Sequence, residues 1–283
     1  MSTLTTTRDV EKSGSGRPGD GQSGTGRQRV TFARVVRSEW IKFWSLRSTT
    51  VTLIAATVVL VGVGLLASQI FGSDGRGPGR DAATDPTSVS LTGSTFAMLV
   101  LGTLGVLLMS GEYGTGMIRS TFAAVPSRLP VLWAKATVFI AVVLPLTLAA
   151  SLLAFLGGQA IIGSGGASLS DPGVLRAVIG TAVFLTGAGL IGIMLGALLR
   201  STPAAITTYF GAMFLLDGVV QILLPSSWRD SVGPYLPAAA GDAFGSVTQS
   251  TGSLGPWSGL GVFVGYIALV AAAAAWRLKR QDA

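Results

Sequence analysis

The sequence has no cysteine and no histidine, and only 12% of its residues are charged. Without cysteine there is no disulfide and no thiol nucleophile. Without histidine there is no imidazole base, and the two absences together remove the common zinc-ligand sets. A soluble domain carries about 25% charged residues, so scarcity of charge is itself a statement about the solvent. Catalytic signatures are missing as well. Each lysine follows Glu11, Ile41, Ala134 or Leu278, never glycine, so no phosphate-loop lysine exists. No G-x-S-x-G elbow, no H-E-x-x-H helix and no pair of membrane-embedded carboxylates occurs. No catalytic, cofactor-binding or metal-binding residue is therefore assigned, and the chain is not expected to be an enzyme.

What the chain does have is apolar length. Of its 283 residues 49% are hydrophobic, and the mean hydropathy is +0.61. A membrane-crossing helix needs about 20 apolar residues, and six runs qualify: Thr50–Ile70, Leu91–Met109, Ala136–Ile162, Val174–Leu199, Ala204–Leu224 and Trp257–Trp276. The tight Arg200-Ser201-Thr202-Pro203 turn makes a hairpin of the fourth and fifth. The G-x-G of Gly187–Gly189 lies inside the fourth run, where small residues serve close helix packing rather than dinucleotide binding.

The net charge of +7 and isoelectric point near 10.4 would suggest nucleic acid in a soluble protein. Here the bases flank apolar runs, as topology signals do. With the N-terminus in the cytoplasm, only Arg76, Arg80, Arg176 and Arg229 of the 20 Lys and Arg residues fall outside. The expected fold is thus an all-α membrane protein of the plasma membrane with six transmembrane helices and both termini cytoplasmic. Residues 1–28, rich in Ser, Gly and Thr, read as a disordered cytoplasmic tail without a signal-peptide core, and residues 29–283 as the transmembrane domain.

Three segments are not spans. Val30–Arg47 reads as an interfacial amphipathic helix lying on the lipid bilayer. On a helical wheel Arg34, Arg37, Ser38, Lys42 and Ser45 share one face, and Phe32, Val36, Trp40, Phe43 and Trp44 the opposite one. It serves either as an anchor or as a docking surface. Ser110–Lys135 is an inner loop longer than two antiparallel helices need, with a short amphipathic helix expected over Met117–Val125. Glu112 and Arg119, seven residues apart, would share a face if that stretch is helical. The outer segment Pro225–Pro256 holds two short apolar stretches, Tyr235–Ala240 and Ala243–Val247, expected as short helices at the outer leaflet. One acid, Asp217, lies well inside a run, with Gln221 a turn further on, and the pair marks a possible outer vestibule.

The opening ARVVRSEWIKFWSLRSTTVTL resembles the start of permease subunits of bacterial type-2 ABC exporters, actinobacterial ones especially, in which an R-x-E-x-x-K helix precedes the first span. Here those residues are Arg37, Glu39 and Lys42. GEYGTGMIRSTFAAVPSRLPVLWAK resembles the inner loop of the same family through Glu112, Gly116, Arg119, Pro126, Arg128 and Lys135, and the outer YLP at Tyr235–Pro237 is similar too. The resemblance covers residues 30–280. It implies a permease that pairs with a second permease copy, as a homodimer or heterodimer, and is driven by a separate cytoplasmic ABC ATPase that binds the ATP and Mg. It also implies an amphipathic substrate: an antibiotic, peptide, lipid or polymer precursor. Arg37, Glu39, Lys42, Glu112, Arg119 and Arg128 are then the expected ATPase-coupling residues. Two other readings fit the sequence: a non-transporting membrane scaffold or assembly protein, and a proton-coupled secondary transporter, which needs more intramembrane ionisable groups than Asp217.

Overall fold

The structure is a computed structural model that describes residues 31–74, 85–125, 128–223, 225–248 and 252–280. The tail over residues 1–28 lies outside the described residues. All regular structure among them is helical. Helix α1 (Phe32–Ser45) precedes the first span, α2 (Arg47–Asp74). A short α3 (Pro86–Leu91) runs into α4 (Ser94–Gly114), and α5 (Met117–Ala124) leads to α6 (Leu129–Ile162). Next come α7 (Val174–Leu199) and α8 (Thr202–Phe210), the latter continuing through a π-helical stretch, Gly211–Leu215, into α9 (Leu216–Leu223). Two short helices, α10 (Ser226–Val232) and α11 (Pro237–Ala243), precede the last, α12 (Pro256–Arg280).

Six of these segments are long and apolar enough to cross a membrane, an arrangement consistent with a multi-pass membrane protein. The fourth expected span coincides with α7, residue for residue. The first, second, third and sixth run beyond their apolar cores, because backbone hydrogen bonding continues until a capping residue or a break stops it, whereas the fifth starts two residues early at Thr202 and its membrane-length segment ends at Val220, short of the expected Leu224. The second reaches back to Pro86, where the Asp85 carboxylate accepts the Thr87 and Ser88 amides at 3.2 Å and Pro86, having no N–H, needs no acceptor. The third starts at Leu129, with Pro130 tolerated in its first turn.

α7 is the hub, buried along most of its length and packed on α4, α6 and α12. Its contact with α4 is close because glycine faces backbone. A Cβ on Gly105 of α4 would collide with the Gly189 carbonyl of α7, and one on Gly192 would collide with the Gly102 carbonyl. In lipid, where apolar burial does not drive helices together, such close approach supplies the attraction through dispersion. Tyr209, completely buried, closes the same seam by donating to the Met98 carbonyl at 2.8 Å.

In the segment before α12, the first apolar stretch is helical at α11, but Ala243–Val247 does not form the expected second helix. Arg176 takes its carbonyls instead: Nη1 donates to Phe244 O at 2.6 Å and Nη2 to Ser246 O at 2.8 Å. A guanidinium fork holding both carbonyls fixes a turn there and takes those carbonyls from any further helix.

Candidate functional site

Helix α1 buries Val35, Glu39 and Phe43, a stripe at intervals of four that faces α6 and the start of α2. This corrects the two-faced wheel. Phe43 turns inward, whereas Phe32, Trp40 and Trp44 remain exposed, and the stripe between the two expected faces carries a glutamate into the protein. Sequence periodicity places an acid outside; only a partner on another helix makes burying it affordable.

That partner is Lys135, at the start of α6, 7% exposed. Its Nζ donates to Glu39 Oε2 at 2.7 Å and to Glu112 Oε1 at 2.6 Å, Glu112 standing in the last turn of α4. Lys42, one turn beyond Glu39, closes the ring. Its Nζ donates to Glu39 Oε1 at 2.8 Å, to Glu112 Oε1 at 3.3 Å and to Thr121 Oγ1 of α5 at 3.3 Å. Thr121 in turn donates to Glu112 Oε2 at 3.4 Å. Two carboxylates and two ammoniums thus alternate around a neutral ring. Glu39, Glu112 and Lys135 are buried and Lys42 is 31% exposed; burying any of the first three alone would cost several kcal/mol, and the charge-assisted hydrogen bonds of the ring offset that cost.

Burial by itself would lower the pKa of Lys42. The hydrogen bonds and fields of Glu39 and then Glu112 outweigh it and hold the ammonium above the ordinary lysine value. The mechanical consequence is that α1, α4, α5 and α6 share one electrostatic clamp at one end of the bundle. A load on α1 or α5 is carried directly into two spans.

Of the expected coupling residues, Glu39, Lys42 and Glu112 come together in this ring, and Arg37, Arg119 and Arg128 do not. Arg37 is exposed on α1, and Arg119 is exposed on α5. The shared face expected for Glu112 and Arg119 is absent because α4 ends at Gly114 and Gly116 adopts φ +72°, which turns the chain before α5 begins. Arg128 caps α6 with φ +43°, close enough for its charge to act on Tyr113. The Arg200 guanidinium lies 5.4 Å from the Tyr113 ring centroid, a cation–π contact on the same end of the bundle.

Lys135 is the ring member that sequence reasoning left out of the site. Its signal was present: a lysine immediately followed by a long apolar run reads as a boundary mark, but a boundary lysine also sits where it can be buried beneath a neighbouring helix.

At the opposite end, Asp217 lies just beyond the π-helical stretch on the wall of a cavity of about 830 Å³. Asp230, Asp242 and Arg229 share that wall with apolar Met98, Phe184 and Met213. Asp242 is solvent-exposed on that wall, yet the surrounding protein desolvates its carboxyl enough to push the pKa up, and a hydrogen bond from Ser246 partly opposes this. Of the two residues expected at an outer vestibule, Asp217 lines this cavity, and the Gln221 side chain lies outside the described residues. No protein-family model matches this chain, and comparison with curated proteins finds no match.

Proposed function

We propose that this chain is the membrane-spanning permease subunit of an ATP-driven ABC exporter in the plasma membrane, with α1, α5 and both termini in the cytoplasm. The observation that carries the reading is the four-ion clamp. A permease without its own nucleotide site must receive work at its cytoplasmic end and deliver it to its spans. A neutral ring joining α1 and α5 to the ends of α4 and α6 does that without leaving a net buried charge. Exposed Arg37 and Arg119 stand on the same two short helices, available to acidic residues of a separate ATPase that holds ATP and Mg. A second copy of the permease would complete the pathway, and the cavity at the far end, apolar with a few acids, suits an amphipathic substrate.

Co-purification tests the reading. Wild-type chain extracted in mild detergent should bring down an ATPase subunit. Arg37→Glu with Arg119→Glu should lose that subunit while the permease is made at normal level. An ATPase that binds but whose turnover never responds to amphipathic compounds would favour the scaffold reading. Failure of wild type to retain any ATPase would overturn the proposal.

A further inference from the structure

Beside the clamp, between α1, α2 and α4, lies a second cavity of about 280 Å³. Its polar end is the ring itself, Glu39, Lys42, Glu112 and Lys135, and its walls are Phe43, Leu46, Leu104, Leu108 and Val138. From Glu112 to Leu104 along α4 the slot extends ~12 Å at the helical rise. It opens sideways: Leu46 and Leu107 on its rim are 49% and 45% exposed, whereas Phe43 and Leu104 deeper in are 4% and 3% exposed. Leu107 precedes the end of α4 by seven residues, ~10 Å into the span, so the opening faces hydrocarbon rather than water.

We infer that this slot holds one acyl chain of an anionic phospholipid drawn from the leaflet on the α1 side. Its polarity runs as a lipid's does, from charged groups at the membrane boundary to leucines and a valine at depth. A soluble anion is disfavoured because the ring satisfies itself: all three Lys42 N–H groups have acceptors in Glu39, Glu112 and Thr121, leaving no spare cation inside. The headgroup therefore stays at the mouth, where Ser48 is exposed and where residues 31–49 carry, outside the neutral ring, Arg34, Arg37 and Arg47 and no acid. Trp40 and Trp44, both exposed on α1, suit that headgroup depth. A lipid seated here would touch the clamp and α2 together, so its presence stiffens the junction between α1 and the first span. The inference needs no ATPase and stands apart from the proposed export function.

The experiment uses full-length chain reconstituted in vesicles of phosphatidylglycerol and phosphatidylcholine, re-extracted in mild detergent and assayed for retained phospholipid by mass spectrometry. Wild type should retain phosphatidylglycerol in preference to phosphatidylcholine. Thr52→Phe fills the slot at a position whose hydroxyl donates back to Ser48 O at 2.8 Å within its own helix. It should retain about tenfold less, as if roughly two methylenes were left unburied. Ile54→Phe, on the exposed side of the same helix, should retain the wild-type amount. A titration of wild type alone adds a measurement that needs no variant: lysophosphatidylglycerol should raise the thermal midpoint, and glycerol phosphate, a head without a tail, should not. Equal retention by Thr52→Phe and Ile54→Phe, no preference for the anionic lipid, or an equal shift with glycerol phosphate would each overturn the inference.

Discussion

Lys135 on α6 reaches Glu39 on α1 at 2.7 Å across 96 positions of sequence, and both side chains are buried. The contact joins a helix outside the six spans to the start of the third span, and it carries the other two ions of the ring with it. Buried pairs of this kind contribute little relative to an apolar replacement, but removing a single member is severe.

Lys135→Met should therefore destabilise the folded chain by about 3–5 kcal/mol, because Glu39 and Glu112 are left sharing one ammonium. Glu112→Gln combined with Lys135→Met restores neutrality and should recover a large part of that loss. Chemical denaturation in detergent micelles, read by tryptophan fluorescence, measures Lys135→Met, Glu112→Gln and the double variant side by side. Additive losses in the double variant would mean that the four groups do not act as a unit.

The ring also sets an alkaline limit. Glu39 and Glu112 hold the Lys42 pKa above its ordinary 10.5 against the opposing effect of burial. The folded chain thus binds this proton more tightly than the unfolded chain does. The stabilisation is complete below 10.5 and is lost as pH climbs through the higher folded-state value. Thermal midpoints measured as pH rises past that point should fall more steeply for wild type than for Lys42→Gln. Parallel curves would show that Lys42 takes no part in the loss.

Packing between α4 and α7 has no room to give. Gly192→Ala places a methyl group against the Gly102 carbonyl and should cost about 1–3 kcal/mol through overpacking. Gly211→Ala, where added Cβ meets open space, is the matched control and should be near neutral. Detergent thermal-shift measurements on the pair separate close approach from the general effect of losing a glycine.

Orientation is testable because the natural chain has no cysteine. Ser120→Cys on α5 and Ser164→Cys beyond the end of α6 are both exposed positions at opposite ends of that helix. An impermeant thiol reagent added to intact cells should label the second and spare the first until the membrane is broken. Labelling of Ser120→Cys alone would invert the proposed topology.

Length and apolarity alone determine the six spans, since a lipid solvent demands an uninterrupted helix and leaves a long apolar run no other stable form. The Pro203 turn, the short helix at Met117 and the small residues of α7 were legible for the same local reasons. The site was half legible. Glu39, Lys42 and Glu112 stand out as charges beside apolar runs, but nothing local says which of them meet or that Lys135 joins them. Gly116 looked compatible with a helix joining Glu112 to Arg119, and only its left-handed backbone in the folded chain separates the two. Phe43 and the two tryptophans share a wheel sector, yet α6 buries the first and leaves the others outside. Burial of an ion depends on counter-ions supplied by distant segments. The sequence by itself therefore determines which segments are long and apolar enough to cross a membrane, and the tertiary structure alone decides which of its few charges are brought inside.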